Sequence, residues 1–229
     1  MSDRTARTVR AAYASSPWRV RLQMAGRWLT CPFAAIAAAV PEQGDILDDG
    51  CGHGHFTLYL ALQHTGRRLV GVDIDERKLP EARAAGDALG IGDRVTFVGV
   101  PRRWDPASAG PVVAPANGWD AIVLVDVLYL IGLTGARAWV HAAAHALAPG
   151  GRLVVKELDT RPRWKHRVSH FQEQLATRVL RITRGDDLEE IPRADLEAFM
   201  RESGLEVEGT RLDRHRLHPH YLVVGTRPR

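Results

Sequence analysis

Short apolar segments alternate with segments of helical periodicity between residues 45 and 158, and this alternation constrains the fold more than any other feature. The segment 119–125 reads Trp-Asp-Ala-Ile-Val-Leu-Val, a run typical of a central strand buried on both faces. Strand–helix alternation predicts a parallel sheet with right-handed crossovers, which is a doubly wound, Rossmann-like α/β fold. The predicted strands are 45–48, 68–73, 95–100, 119–125 and 152–158, and the predicted helices are 56–64, 76–89 and 136–147.

The carboxyl-terminal part of the chain departs from this rhythm. A helix predicted at 193–203 is followed by two apolar segments, 205–212 and 221–226, with no helix between them. They predict an antiparallel hairpin that completes a seven-stranded, mostly parallel sheet. In 161–190, apolar residues recur at helical spacing, from Trp164 to Val179, so we expect a helical lid insertion over the carboxyl edge of the sheet.

The residues before the first strand predict a separate helical cap. Residues 1–16 are polar and rich in arginine, typical of a loose arm or a short helix, and 18–40 read as helical, with Pro32 dividing them. We therefore divide the chain into an N-terminal cap, 1–44, and a Rossmann-like domain, 45–229, that contains the insertion. The residues that share one face of this helical region are Trp18, Leu22, Ala25, Leu29 and Phe33. The helix around Trp18, Leu22 and Trp28, with Arg19, Arg21 and Arg27 beside it, either touches a membrane surface or, as we favour, closes the active site.

Composition excludes several classes of protein. Two cysteines are too few for a disulfide framework and favour a reducing, cytoplasmic location. No spacing of cysteines and histidines predicts a metal site. No apolar run reaches the length of a transmembrane helix, and no apolar segment directly follows the basic start of the chain, so we expect neither a membrane span nor a signal peptide. The net charge is +4, but the arginines are spread among acids, which favours a general compositional bias over a basic patch.

A glycine-rich turn, Asp-Asp-Gly-Cys-Gly-His-Gly at 48–54, joins the first predicted strand to its helix. Glycines permit a tight turn and let backbone N–H groups approach a bound nucleoside, while the start of the helix directs its dipole toward the ligand. An acid at the end of the second strand can then accept both ribose hydroxyls, and Asp73 holds that place. His55 occupies the position where a dinucleotide fingerprint requires glycine or alanine, so the loop fits a dinucleotide poorly.

Four segments together resemble the class I S-adenosylmethionine-dependent methyltransferases, in order and at the expected spacing. They are Ile-Leu-Asp-Asp-Gly-Cys-Gly-His-Gly at 46–54, Val-Asp-Ile-Asp at 72–75, Trp-Asp-Ala-Ile-Val-Leu-Val-Asp-Val-Leu-Tyr at 119–129, and Leu-Ala-Pro-Gly-Gly-Arg-Leu at 147–153. The resemblance covers about 45–229 and implies S-adenosylmethionine as the cofactor. No segment resembles the family's amino-methylation signature or a nucleic-acid module.

The resemblance also implies residue roles. Asp48 would hold the methionine amino group, Asp73 the ribose hydroxyls, and Asp126 and Tyr129 would face the sulfonium and the acceptor. The family often places an acid after the third strand to contact adenine, whereas Val100 stands here, so a backbone carbonyl or Asp105 would have to replace it. The predicted cofactor contacts are Asp48, Gly50, Cys51, Gly52, Gly54, Asp73, Ile74, Val100 and Asp126.

Methyl transfer depends largely on positioning and on exclusion of water, but an oxygen or nitrogen acceptor can also need a base. His166 and His170 lie four residues apart on one face of the predicted lid helix, and Glu157 ends the fifth strand; with Tyr129 they are the predicted catalytic residues. The leading hypothesis is methyl transfer to a small-molecule or lipid-like acceptor, as in natural-product biosynthesis, with peripheral membrane contact as an option. The alternatives are a non-methylating cyclisation or rearrangement that uses the same cofactor, and a non-catalytic partner protein of the same fold.

Overall fold

A computed structural model describes residues 2–108, 110–158, 189–212 and 220–229. Within them, seven strands form one sheet in the order β3-β2-β1-β4-β5-β7-β6. The first five strands pair in parallel, and β7 is antiparallel to both β5 and β6, which confirms the predicted sheet. The strands are β1 (Gly44–Asp49), β2 (Arg67–Asp73), β3 (Val95–Gly99), β4 (Trp119–Val125), β5 (Leu147–Leu158), β6 (Glu206–Arg211) and β7 (His220–Thr226).

Helices cover both faces of the sheet, and β4 shows why the chain folds this way. Alternate side chains of a strand point to opposite faces, and every residue of β4 from Ala121 onward is buried. Ala121 and Val123 join one apolar layer, while Ile122 and Leu124 join the other. The helices are α1 (Ser2–Ala12), α2 (Trp18–Thr30), α3 (Phe33–Ala39), α4 (His55–Gln63), α5 (Leu79–Ala88), α6 (Gly132–Ala146) and α7 (Arg193–Glu202).

Several predicted boundaries were wrong, and the helix predicted at 136–147 already begins at Gly132. The helix predicted at 76–89 is a 3₁₀ turn, Glu76–Lys78, followed by α5, whose first turn accepts Pro80 because proline lacks the N–H that an interior helical position needs. The strand predicted at 152–158 begins five residues earlier, because β5 starts at Leu147. Trp119 pairs with Leu147 but Ala121 pairs with Arg152, so the extra residues of β5 form an irregularity in the ladder.

The N-terminal residues pack onto the sheet domain rather than forming a loose arm. Val9 and Tyr13 are buried, and α1 contacts α4 and α5. The helix break predicted at Pro32 is confirmed, since α2 ends at Thr30 and α3 begins at Phe33. However, α2 packs inward through Val20 and Met24, so the predicted apolar face is its outer face for most of its length. Trp18, Leu22 and Leu29 are exposed.

The predicted lid insertion falls on residues outside the described part of the chain, apart from its last two positions. His166 and His170 lie there as well, so their roles stay predictions. None of the helices in the described ranges has both the length and the hydropathy that a bilayer crossing requires.

Candidate active site

The glycine loop between β1 and α4 is tightly folded against the ends of the neighbouring strands. Gly50, Gly52 and Gly54 have φ values of 80°, 58° and 75°, a region that side-chain-bearing residues rarely adopt. The N–H groups of Gly50 and Cys51 both donate to the carbonyl of Val72 at 2.9 Å. These contacts hold the loop at the carboxyl edge of the sheet, where ligands bind in open α/β folds.

Close packing requires glycine at positions 50 and 54, whereas position 52 borders open space. A Cβ added to Gly50 would lie 2.4 Å from Val127, and one added to Gly54 would lie 2.7 Å from Ala82 and Phe97, so packing excludes side chains there. A Cβ on Gly52 would meet nothing nearer than the Asp73 Oδ2 atom, at 4.0 Å. Gly52 therefore borders open space directly above Asp73, and a ligand can approach its backbone closely.

The Asp73 carboxylate is fixed by backbone donors on both oxygens. Oδ2 accepts from the N–H of Gly52 and Oδ1 from the N–H of Asp75, each at 2.8 Å. Each oxygen of an ionised carboxylate has two acceptor positions, so both can still accept a ribose hydroxyl. Ile74, the next residue, is exposed beside it. The end of β2 thus offers an oriented acid and an apolar side chain.

Val100 occupies an apolar environment where the family often has an acid. Its side chain is buried in the layer that contains Val112 and Trp104, and its N–H donates to the carbonyl of Asp73 at 3.1 Å. Asp105, the alternative acid, accepts from the N–H of Ala107 in its own turn. The wall of the site is therefore apolar at Val100.

Two acids at the end of β1, the buried Asp48 and the half-buried Asp49, have raised pKa values. Asp48 accepts from the hydroxyl of Thr57 at 2.5 Å, and burial raises its pKa to about 6. Asp49, which the motif does not single out, accepts from the Trp139 indole N–H at 2.9 Å, and burial raises its pKa to about 7. Burial also raises the pKa of the Cys51 thiol, so Cys51 serves packing against Gly71 rather than thiolate chemistry.

A buried ion cluster lies at the ends of β4 and β5. Asp126 is paired with Lys156 of β5 and with Arg27, whose Nη1 atom donates to Asp126 Oδ2 at 2.5 Å. Among the described residues, Asp126 is the one non-glycine residue in the left-handed region, with φ of 59°. Burial alone would raise its pKa, but Lys156 and Arg27 hold it well below the usual range, so Asp126 is ionised.

Glu157 supports the turn that follows β4. Its Oε1 atom accepts from the N–H groups of Val127 and Leu128, at 2.9 and 2.7 Å. Burial, with the charge of Asp126, raises its pKa to about 8, so Glu157 keeps its proton at neutral pH. Tyr129 lies in the same turn, and its carbonyl accepts from the N–H of Glu189 at 3.1 Å. The geometry makes Glu157 a support for the turn that carries Tyr129.

Sequence patterns missed Arg27 and Lys156. Arg27 is one of several arginines on α2, and nothing local distinguishes it. Lys156 carried a usable signal, because it directly follows the apolar residues Leu-Val-Val in the fifth predicted strand. A lysine in such a strand usually has a paired acid.

A methyltransferase domain family matches residues 23–209, which is most of the chain. The chain belongs to the class I S-adenosylmethionine-dependent methyltransferase family. The cofactor of this family is S-adenosylmethionine, and the glycine loop, the open space at Gly52 and the fixed Asp73 carboxylate fit its nucleoside.

Individual relatives agree with this assignment. A trans-aconitate 2-methyltransferase of Streptomyces avermitilis is 29% identical over 187 residues, which are 73% of this chain and 61% of that relative. An O-methyltransferase family protein from Burkholderia thailandensis has the same fold, with a TM-score of 0.68 at 20% identity over 92% of this chain and 59% of the other. The magnesium protoporphyrin IX methyltransferase of Synechocystis, solved with bound S-adenosylhomocysteine, gives 0.61 at 19% identity over 96% and 93%. This methyltransferase-family chain thus spans about three fifths of the first two.

Proposed function

We propose that this chain transfers the methyl group of S-adenosylmethionine to a small-molecule or lipid-like acceptor. The observation that carries the proposal is the Asp73 carboxylate, held by two backbone N–H groups beneath the open side of Gly52. A carboxylate oriented in this way beside a glycine turn suits the two hydroxyls of a ribose.

The chain's own residues divide the cofactor between them in this proposal. Asp73 accepts the ribose hydroxyls, while Ile74 and Val100 provide apolar contacts to the adenine. Asp48 lies deeper, and its carboxylate supports the methionine amino group. The turn itself supplies backbone groups from Gly50 to Gly54, including Cys51.

When bound, S-adenosylmethionine supplies an activated methyl group on a sulfonium centre. Asp126, at the end of β4, is ionised and lies on the side where that centre is proposed to lie. Lys156 and Arg27 hold its orientation, and Glu157 holds the following turn with Tyr129 at the acceptor side. We propose that Glu157 acts through this turn and that Tyr129 contacts the acceptor. Positioning and exclusion of water are then the main contributions of the protein.

The named relative supports a small-molecule acceptor, since trans-aconitate is a small carboxylic acid. We also propose a reducing, cytoplasmic location, because two cysteines are too few for a disulfide framework.

Calorimetric titration tests the proposal. Wild-type protein should bind S-adenosylmethionine and S-adenosylhomocysteine, and Asp73→Ala should weaken both at least a hundredfold. Asp93→Ala, which removes an exposed acid far from the loop in sequence, is the matched control and should bind normally. If the wild-type protein bound neither S-adenosylmethionine nor S-adenosylhomocysteine, the proposed function would be wrong.

Methyl transfer is tested separately with labelled S-adenosylmethionine and a panel of carboxylic, phenolic and lipid-like acceptors. Transfer to an acceptor that depends on Asp73 supports the proposal. Cofactor binding without methyl consumption across the panel would favour a cyclisation, a rearrangement or a non-catalytic partner role.

A further inference from the structure

The positive charge of the chain is concentrated before the sheet. Residues 1–41 contain six arginines, no lysine and one acid, Asp3, which is a net charge of +5. Because the whole chain carries +4, the remaining 188 residues have a net charge of −1. Arginines are therefore interspersed with acids after residue 41, but not in residues 1–41. The basic character of the protein belongs to α1, α2 and the residues around them.

The outer face of α2 is an exposed apolar stripe. Trp18, Leu22 and Leu29 are 64%, 54% and 81% exposed, and at 100° per residue they lie within about 40° of one another around the helix. Three of the six large hydrophobic side chains that are exposed in the described part of the chain belong to this stripe. Arg19 and Arg21 flank it, and the Arg19 guanidinium lies 5.4 Å from the centre of the Trp18 ring.

A groove of about 660 Å³ runs between α1 and α2 beside this stripe. Arg7, Arg10 and Arg21 line it together with the apolar side chains of Trp18 and Leu22, and none of the described residues that line it is an acid. We define the N-terminal face as this groove with the α2 stripe.

We propose that the N-terminal face docks the protein on membranes that contain anionic lipids. A row of apolar side chains with tryptophan and leucine, flanked by arginines, suits the boundary between headgroups and acyl chains. Each arginine near an anionic surface adds to the attraction, and an apolar groove lined with arginines accepts a negatively charged headgroup with part of its chain.

A second copy of this chain is a poorer occupant of the same face. A twofold-symmetric dimer places a surface patch against itself, so two regions of charge +5 would meet. Like charges at close range oppose such an interface. An anionic lipid offers both things that a partner of this face needs, because its acyl chains are apolar and its headgroup is negatively charged.

The N-terminal segment that carries the docking face also contacts the candidate active site. From the inner side of α2, Arg27 reaches Asp126, and after α1 the Tyr13 hydroxyl donates to the His53 carbonyl of the glycine loop. Docking would therefore set the carboxyl edge of the sheet at a constant orientation to the bilayer, from which a lipid-like acceptor could be supplied. The docking proposal itself does not depend on methyl transfer.

Vesicle co-sedimentation tests the docking. We expect binding to phosphatidylcholine vesicles in which about a third of the lipid is phosphatidylglycerol, little binding to pure phosphatidylcholine, and release by high salt. The triple variant Arg7→Gln/Arg10→Gln/Arg21→Gln should lose about a hundredfold in partitioning, and Trp18→Ala/Leu22→Ala about tenfold. All five side chains are on the surface, so circular dichroism and melting should stay unchanged.

Matched controls come from the surface elsewhere. Arg103→Gln and Val113→Ser change an exposed arginine and an exposed valine outside the N-terminal face and should leave vesicle binding unchanged. Asp73→Ala should also bind vesicles normally, which separates the docking from the proposed cofactor site. Equal binding to both kinds of vesicle, or no binding to either, would overturn the proposal. A dimer that dissociates in the Trp18→Ala/Leu22→Ala variant would assign the face to a second copy instead.

Discussion

The two halves of the sheet's carboxyl edge are built in different ways. On the β1–β2 side, backbone groups shape the site: three glycines in the left-handed region and two N–H groups that fix Asp73. On the β4–β5 side, side chains shape it, through the cluster of Asp126, Lys156 and Arg27. The first half is assembled within about 30 residues of chain, whereas Arg27 and Asp126 are 99 residues apart.

This difference separates cofactor recognition from support of the acceptor side. A backbone-built loop has few ways to vary, because each glycine conformation is required. A side-chain cluster can be exchanged more freely, provided that each buried charge keeps a partner. Substitutions on the two sides should therefore fail in different ways.

The largest effect is expected from Asp126→Asn. It removes the carboxylate that pairs with buried Lys156, and breaking a buried ion pair by removing one partner costs about 3–5 kcal/mol of the free energy of unfolding. Urea denaturation measures this loss. Adding Lys156→Met should restore part of the stability, because the uncompensated buried charge is then removed; an additive loss would show that the two groups do not interact.

Gly50→Ala and Gly52→Ala sharpen the comparison within the glycine loop. Gly50→Ala places a methyl group 2.4 Å from Val127 and should lower the free energy of unfolding by about 3 kcal/mol. Gly52→Ala meets no such clash, so its cost should be only about 1 kcal/mol from the left-handed backbone, while cofactor affinity falls at least tenfold. Thermal melting and calorimetric titration distinguish the two; equal losses of stability would contradict the open space at Gly52.

The proton on Glu157 predicts a pH dependence of stability on the β4–β5 side. With its pKa raised to about 8, the native state keeps a proton that the unfolded state releases near pH 4.5. The native state therefore binds more protons, and the free energy of unfolding falls as pH rises, by about 2 kcal/mol between pH 6 and pH 8 from this group. Glu157→Gln keeps an oxygen for both N–H donors and should remove that part of the slope. The difference between the two proteins isolates Glu157; parallel pH profiles would contradict the raised pKa.

The smallest effect is expected from Tyr13→Phe, which removes the hydrogen bond to His53 of the glycine loop. It should cost about 1 kcal/mol of stability and weaken cofactor binding slightly. Tyr221→Phe is the matched control, because its hydroxyl donates to the carbonyl of Ile191, a contact outside the glycine loop. A similar loss of stability with unchanged cofactor affinity is expected there, and an equal loss of affinity in both variants would contradict a specific role for the Tyr13–His53 contact.

The success of sequence-based prediction follows the same division. The strands, the order of their connection and the glycine loop could be predicted because apolar periodicity and the need for positive φ are local properties. The outer face of α2 was harder to interpret. Trp18, Leu22 and Leu29 repeat like a buried face, yet α2 packs through Val20 and Met24. Periodicity identifies a helix, but only its neighbours determine which face they cover.

The sequence by itself determined the doubly wound sheet, the glycine turn and the position of Asp73 at the end of β2. Each of these depends on residues that are close together in the chain. Only the tertiary structure decided that Arg27 reaches Asp126, that Lys156 completes the ion cluster, and that Glu157 holds the turn after β4. These contacts depend on the angle at which α2 crosses the sheet and on the register of β5 against β4. Such long-range geometry is set by packing of the whole domain.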